Sequence, residues 1–129
     1  MAPLIYLDTH VVAWLFAGRV DLFPTPARDL LDHNDLLISP AVVLELQYLH
    51  EIQRAAEPAH VVVDALGLEV GLKVCDLPFP AVIGVSLEQA WTRDPFDRIL
   101  VAQAALRGAP LLTKDRSIRK HYPQAVWVD

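Results

Sequence analysis

The run Leu4-Ile5-Tyr6-Leu7-Asp8-Thr9-His10-Val11-Val12-Ala13-Trp14-Leu15-Phe16-Ala17 holds a short apolar strand, then an acid, then a helix. Four apolar residues without polar alternation read as a strand covered on both faces. Asp8 closes it, and the pattern turns helical over Val11–Ala17. The same strand-then-acid order returns in Pro110-Leu111-Leu112-Thr113-Lys114-Asp115. Three further apolar runs, Leu36–Ile38, Leu72–Leu77 and Ala125–Val128, also read as strands.

Helical patterns separate these strands. Thr25 caps Pro26–His33, and Ser39-Pro40 opens Ala41–Arg54. Pro58-Ala59 opens a helix to about Leu66, Pro80–Trp91 contains another, and Phe96–Arg107 stops before Gly108. Strands alternating with helices predict an α/β fold, a three-layer α/β/α sandwich around a mainly parallel five-stranded sheet. No repeat, low-complexity tract or linker divides the sequence, so residues 1–129 are expected to form a single domain.

With 53% hydrophobic residues and a mean hydropathy of +0.31, the chain has the composition of a packed domain and not of a disordered one. Asp, Arg, Pro or His interrupts every apolar run before it reaches membrane-spanning length, and the N-terminal residues carry no signal-peptide pattern. The single cysteine, Cys75, has no internal disulfide partner and sits in an apolar run as core filler. A cytoplasmic protein is expected.

A net charge of −5 argues against a nucleic-acid partner until its distribution is considered. Residues 93–121 carry seven bases (Arg93, Arg98, Arg107, Lys114, Arg116, Arg119 and Lys120) against three acids (Asp94, Asp97 and Asp115). The rest of the chain carries four bases and thirteen acids. The acidic chain thus has one basic third, and that third holds most of the conspicuous carboxylates.

Each of those carboxylates has an ordinary explanation when taken singly. Asp94 before Pro95 is a helix cap, and Asp97 falls in the first turn, where the helix dipole favours a negative charge. Asp8 and Asp115 can cap the segments that follow them. Glu45 lies between Leu49 and Ile52 on the inward side of its helix, whose apolar stripe is Val42, Leu46 and Leu49 with Ile52 alongside, while Gln47 and Glu51 face outward. Jointly they are harder to explain. Parallel sheets place their functional crevice at the carboxyl ends of the strands, where Asp8, Asp115 and the start of the Asp94–Asp97 helix converge. Two carboxylates about 5 Å apart repel by roughly 3 kcal/mol at an effective dielectric of ~20, so an empty cluster is unfavourable. An oxygen-only ligand set suits Mg²⁺ or Mn²⁺ and not zinc.

Four blocks also carry a family resemblance: Leu7-Asp8-Thr9-His10-Val11-Val12-Ala13-Trp14-Leu15, Ser39-Pro40-Ala41-Val42-Val43-Leu44-Glu45-Leu46, Asp94-Pro95-Phe96-Asp97-Arg98-Ile99-Leu100-Val101-Ala102-Gln103-Ala104, and Leu111-Leu112-Thr113-Lys114-Asp115. In this order and spacing the chain resembles, over essentially its whole length, a PIN-domain ribonuclease of the kind (VapC type) that serves as the toxin of a type II toxin–antitoxin pair. The resemblance implies a PIN-like sandwich whose acids hold Mg²⁺ or Mn²⁺ and hydrolyse RNA. By position it implies Asp8, Glu45, Asp97 and Asp115 as the acidic quartet, with Asp94 a further candidate ligand. Where the related branch often has His before Arg-Asp-Pro-Phe-Asp, this chain has Thr92, which offers no proton-transfer group.

Around that quartet, Thr9 and Thr113 stand next to acids and can support a ligand or a phosphate, and Arg93, Arg98, Lys114 and Arg116 are candidates for holding RNA phosphates. Of the three tryptophans, Trp14 and Trp127 read as core or interface, and none gives a clean stacking platform. The expected partners are an RNA substrate, a protein antitoxin and a second copy of the chain, the last from the apolar segments around Trp14-Leu15-Phe16 and Val42–Leu49. Rival readings remain at this stage. A phosphotransferase with Asp8 as nucleophile lacks the second acid two residues on, where His10 stands. A processing nuclease, or a silent binding module on the same fold, stays open.

Overall fold

The computed structural model describes residues 3–127, and β-strands and α-helices alternate along them. Strand β1 (Leu4–Leu7) leads to α1 (Thr9–Phe16), a 3₁₀ turn at Val20–Leu22 and α2 (Thr25–His33). Strand β2 (Asp35–Ile38) precedes the hairpin of α3 (Pro40–Glu51) and α4 (Ala59–Val70). Then come β3 (Lys73–Val74), α5 (Phe79–Ser86), α6 (Pro95–Arg107), β4 (Leu111–Leu112), α7 (Arg116–His121) and β5 (Ala125–Val126).

All four strand pairings are parallel, in the order β3-β2-β1-β4-β5. The chain thus steps outward from β1 through β2 to β3, crosses back, and continues through β4 to β5. With right-handed crossovers the two directions put their helices on opposite faces, which makes the expected three-layer sandwich. The order reverses between β1 and β4, where a doubly wound sheet opens its crevice. Asp8 follows β1, and Thr113 and Asp115 follow β4. The core is that of a two-faced sheet: Ile5, Tyr6, Leu7, Ile38, Leu111 and Leu112 are all fully buried.

Several boundaries differ from the sequence reading, each for a physical reason. Helix α1 starts at Thr9, two residues early, because the Asp8 side chain caps it there. Thr25 is the first residue of α2 and not its cap; Pro24 holds the cap position without a side-chain bond. Helix α3 ends at Glu51, short of Arg54, and Gln53 turns the chain with φ 63°. Helix α4 runs past Leu66 to Val70, where left-handed Gly71 stops it. The expected strand Leu72–Leu77 contracts to Lys73–Val74, whose two side chains are exposed at the sheet edge, although Cys75 N–H still bonds Ile38 O at 2.8 Å. The expected end of the last strand at Val128 lies outside the described residues.

The face of α3 also needs correction. Ile52 is exposed, as are Leu44 and Tyr48, and Gln47 turns partly inward to accept the Ala59 N–H that opens α4. Cys75 is buried core, as read, and contacts the Tyr6 hydroxyl at 2.9 Å.

Two glycines test this account of helix ends. Gly108 closes α6 at φ 60°, a conformation that a side chain disfavours by about 1–2 kcal/mol, whereas Gly84 is on the exposed side of helix α5 with open space where a Cβ would go. Chemical denaturation should show Gly108→Ala destabilising by about 1 kcal/mol and Gly84→Ala stabilising by up to about 1 kcal/mol.

Candidate active site

Two fully buried threonines organise the acids. Thr9, first residue of α1, gives its N–H to Asp8 Oδ1 at 2.6 Å, and its hydroxyl donates to Glu45 Oε1 on α3. Thr113, just past β4, donates its hydroxyl to Asp8 Oδ2 at 2.5 Å and accepts the Asp115 N–H at 3.1 Å. The result is one chain of bonds, Glu45–Thr9–Asp8–Thr113–Asp115, across α3, the ends of β1 and β4 and the start of α7. Both threonines were singled out in the sequence; their partners here are the carboxylates themselves.

The other two acids arrive on α6. Asp94 caps that helix, its Oδ1 accepting the N–H groups of Phe96 at 2.9 Å and Asp97 at 3.4 Å. Asp97 sits one turn in and is half-buried. Asp115 likewise caps α7, accepting the Ile118 N–H at 2.9 Å. Capping therefore holds for Asp8, Asp94 and Asp115, as a plain reading of the sequence expects, yet all five acids also line a single cleft of about 410 Å³ together with His10, Val11, Trp14 and Lys114.

Crowding shows in the proton affinities. Burial, reinforced by the charges of Asp94, Asp115, Asp8 and Glu45, pushes the Asp97 carboxyl up to about 7. Burial likewise raises Asp8, against the opposing hydrogen bonds of Thr113 and Thr9, and raises Glu45, against its bond from Thr9 and helped by the charges of Asp8 and Asp94. Among the described residues no trio of potential ligands closes into a ready cage for a metal ion; the acids line the walls of the cleft.

Of the four bases singled out in the sequence, Lys114 lines the cleft. Arg93 and Arg98 turn back to brace the loop before α6, the first on Ala90 O at 2.9 Å and the second on Thr92 O at 2.9 Å. Arg116 is exposed on the first turn of α7. Thr92 accepts the Asp94 N–H at 3.1 Å and so shapes the helix entrance.

The sequence did not disclose three features of the neighbourhood. His10 and Trp14 form part of the cleft wall, one helical turn apart on α1; their spacing of four was visible, but not which face of α1 they share. Ser39, the cap of α3, donates to Gln103 Oε1 of α6 at 2.9 Å in the core and so ties the helix of Glu45 to the helix of Asp97. Trp91 stacks on His121, thirty residues away.

Fold and site together match one known family. The PIN domain aligns with residues 5–122, and the chain belongs to the PIN-domain family. It is 30% identical over 128 residues to Ribonuclease VapC22 of Mycobacterium tuberculosis (strain ATCC 25618 / H37Rv), covering 95% of this chain and 98% of that one. Solved structures share the fold at lower identity. VapBC2 from Rickettsia felis, bound to a DNA fragment from its promoter, aligns with a TM-score of 0.67 at 18% identity, over 97% of this chain and 99% of that one. DNA-bound VapBC from Salmonella typhimurium aligns with a TM-score of 0.64 at 21% identity, over 96% and 95% of the two chains.

The raised Asp97 carboxyl has a consequence for stability. Its folded pKa lies well above the ordinary Asp value of about 3.9, so its stabilising contribution is complete below that value and is lost as pH rises through about 7. In chelator, Asp97→Asn should therefore gain in melting temperature over the wild type as pH is raised from about 4 to about 8. Parallel melting curves for the two proteins across that range would show that the carboxylate is not strained in the metal-free fold.

Proposed function

We propose that this protein is a divalent-metal-dependent endoribonuclease and the toxin of a type II toxin–antitoxin pair. The observation that carries the reading is the convergence of Asp8, Glu45, Asp94, Asp97 and Asp115 in one cleft at the switch point of a PIN domain. The end-to-end match to a protein named Ribonuclease VapC22 supports the same activity. A bare binding module gains nothing from five mutually repelling carboxylates.

The donor set fits Mg²⁺ or Mn²⁺ in kind. All five candidates are hard carboxylate oxygens, and their mutual repulsion is the cost that a cation removes. Asp8 and Asp97 would hold the ion, with Glu45 and Asp115, and Asp94 as a further candidate, completing its surroundings directly or through water. When bound, such an ion lowers the pKa of water and offsets charge on a phosphate. The protein's own contribution is placement. Thr9 and Thr113 hold Glu45 and Asp8 in place on the wall of the cleft, and Glu45 or Asp115 would accept a proton from the attacking water. Lys114 on the wall would hold the RNA backbone, with exposed Arg116 on α7 as a further candidate, and with Arg93 and Arg98 if they leave the carbonyls that they brace.

The proposed antitoxin has a surface to bind. A mainly apolar groove of about 700 Å³ opens between α1, α3, α4 and the segment Arg54–Glu57, sharing His10 and Trp14 with the acid cleft. An apolar arm in that groove would bring a basic side chain to the carboxylates. The VapBC complexes among the structural relatives support a partner of this type. Leu44 and Tyr48 of α3 and Phe79 of α5, all exposed apolar side chains, support a homodimer. Among the described residues no helix is long and apolar enough to cross a membrane, which accords with a cytoplasmic enzyme.

Brief induction in cells followed by mapping of new RNA 5′ ends tests the activity. Wild type should produce discrete cleavage sites. Asp8→Asn and Asp97→Asn should fold and lose cleavage by more than about a hundredfold, beyond the usual loss of an outer supporting group. Full activity in both folded variants would overturn the assigned site.

A further inference from the structure

Outside the acid cleft, one feature, half-buried at Trp91 and exposed at His121, combines aromatic surface with nearby positive charge. The Trp91 ring, on the loop between α5 and α6, lies parallel to the His121 imidazole at the end of α7, with centroids 4.8 Å apart and planes 6° from coplanar. Both rings are pinned: Trp91 Nε1–H donates to Gln89 Oε1 at 2.8 Å, and His121 Nδ1 bonds Ser117 O at 2.8 Å. His121 is exposed although the indole covers one of its faces, so its solvent contact lies on the opposite face and the ring edge.

The position of this stack gives it a use. Trp91 stands three residues before Asp94, and His121 six residues after Asp115, so the pair bridges the two segments that deliver those acids to the cleft. Six helical residues span about 9 Å, so His121 stands at the far end of α7 from Asp115, beyond the lining of the cleft and beside it. Arg93 and Arg98 hold the same loop through Ala90 O and Thr92 O, and Lys120 precedes His121 on α7. Proteins that grip single-stranded RNA combine cations along the backbone with aromatic faces on which bases stack.

We propose that the Trp91–His121 stack is a base-binding subsite, on which a nucleobase flanking the scissile phosphate lies against the free face of His121. This inference rests on the ribonuclease reading and extends it to how the RNA strand leaves the cleft. Stacking accepts any base, so the subsite adds affinity and register without dictating sequence.

The test uses the full-length protein, with an RNA fragment containing a mapped cleavage site as the probe. His121→Ala should raise KM, or the Kd measured in the cleavage-deficient Asp8→Asn background, roughly tenfold, with kcat little changed. His121→Tyr, which keeps a ring, should restore most of the affinity. RNA binding should also quench the fluorescence of Trp91, read in a Trp14→Phe and Trp127→Phe background with Trp91→Leu as the blank. If wild type cleaves the RNA but His121→Ala keeps its KM and Kd, the subsite is wrong while the nuclease reading stands. An equal loss in the Ala and Tyr variants, or a fall in kcat alone, would make the stack a brace for the acid-bearing loops and would also overturn the proposal. If wild type cleaves no RNA, the nuclease reading itself fails.

Discussion

Both oxygens of the Asp8 carboxylate are committed before any ligand arrives, one to the first N–H of α1 and the other to the hydroxyl of Thr113. That pair of bonds fixes an acid at the end of the central strand, beside the point where the strand order reverses. The remaining acids are placed relative to it. Thr9, one residue on, reaches Glu45, and Thr113 reaches back to the Asp115 N–H. Asp8 accepts hydrogen bonds that favour its charged form, while burial disfavours that form and wins. The site is therefore rigid in geometry and strained in charge.

The strain falls most heavily on Asp97, which four other carboxylates face and which the first turn of α6 holds half-buried. Stability alone would replace such a residue. The fold instead spends three helix caps, two buried threonines and the Ser39–Gln103 bond on holding the acid-bearing elements in place. This is the pattern expected where local stability is given up for chemistry. An account based on helix capping alone covers Asp8, Asp94 and Asp115 but leaves Glu45 and Asp97 unexplained, since neither caps a helix.

Much of this was legible in the sequence because it depends on local pattern. Uninterrupted apolar runs marked β1, β2 and β4, and the acids after β1 and β4 marked the end of the sheet that carries the site. Prolines and glycines marked most helix ends, although Thr25 misled because Pro24 takes the cap position without a side-chain bond. Edge strand β3 was overestimated: only Lys73 and Val74 are paired as strand, the contact with β2 ends with the bond from Cys75 N–H to Ile38 O, and Asp76 is exposed. The face of α3 was partly misread: a purely helical period put Ile52 with the core, but the helix ends at Glu51 and the residue turns outward. Contacts between distant segments, such as Trp91 with His121 or Ser39 with Gln103, left no trace in spacing and needed the folded chain.

The central claim is that these carboxylates exist to hold a divalent cation, and thermal unfolding in the presence of Mn²⁺ addresses it without any knowledge of the RNA. An ion that binds only the native state at a hundredfold excess over its Kd stabilises it by about 2.7 kcal/mol, a rise of several degrees for a domain of this size. The account predicts that rise for the wild type and none for a protein carrying both Asp8→Asn and Asp97→Asn. A wild-type melting curve that millimolar Mn²⁺ leaves unmoved would contradict it.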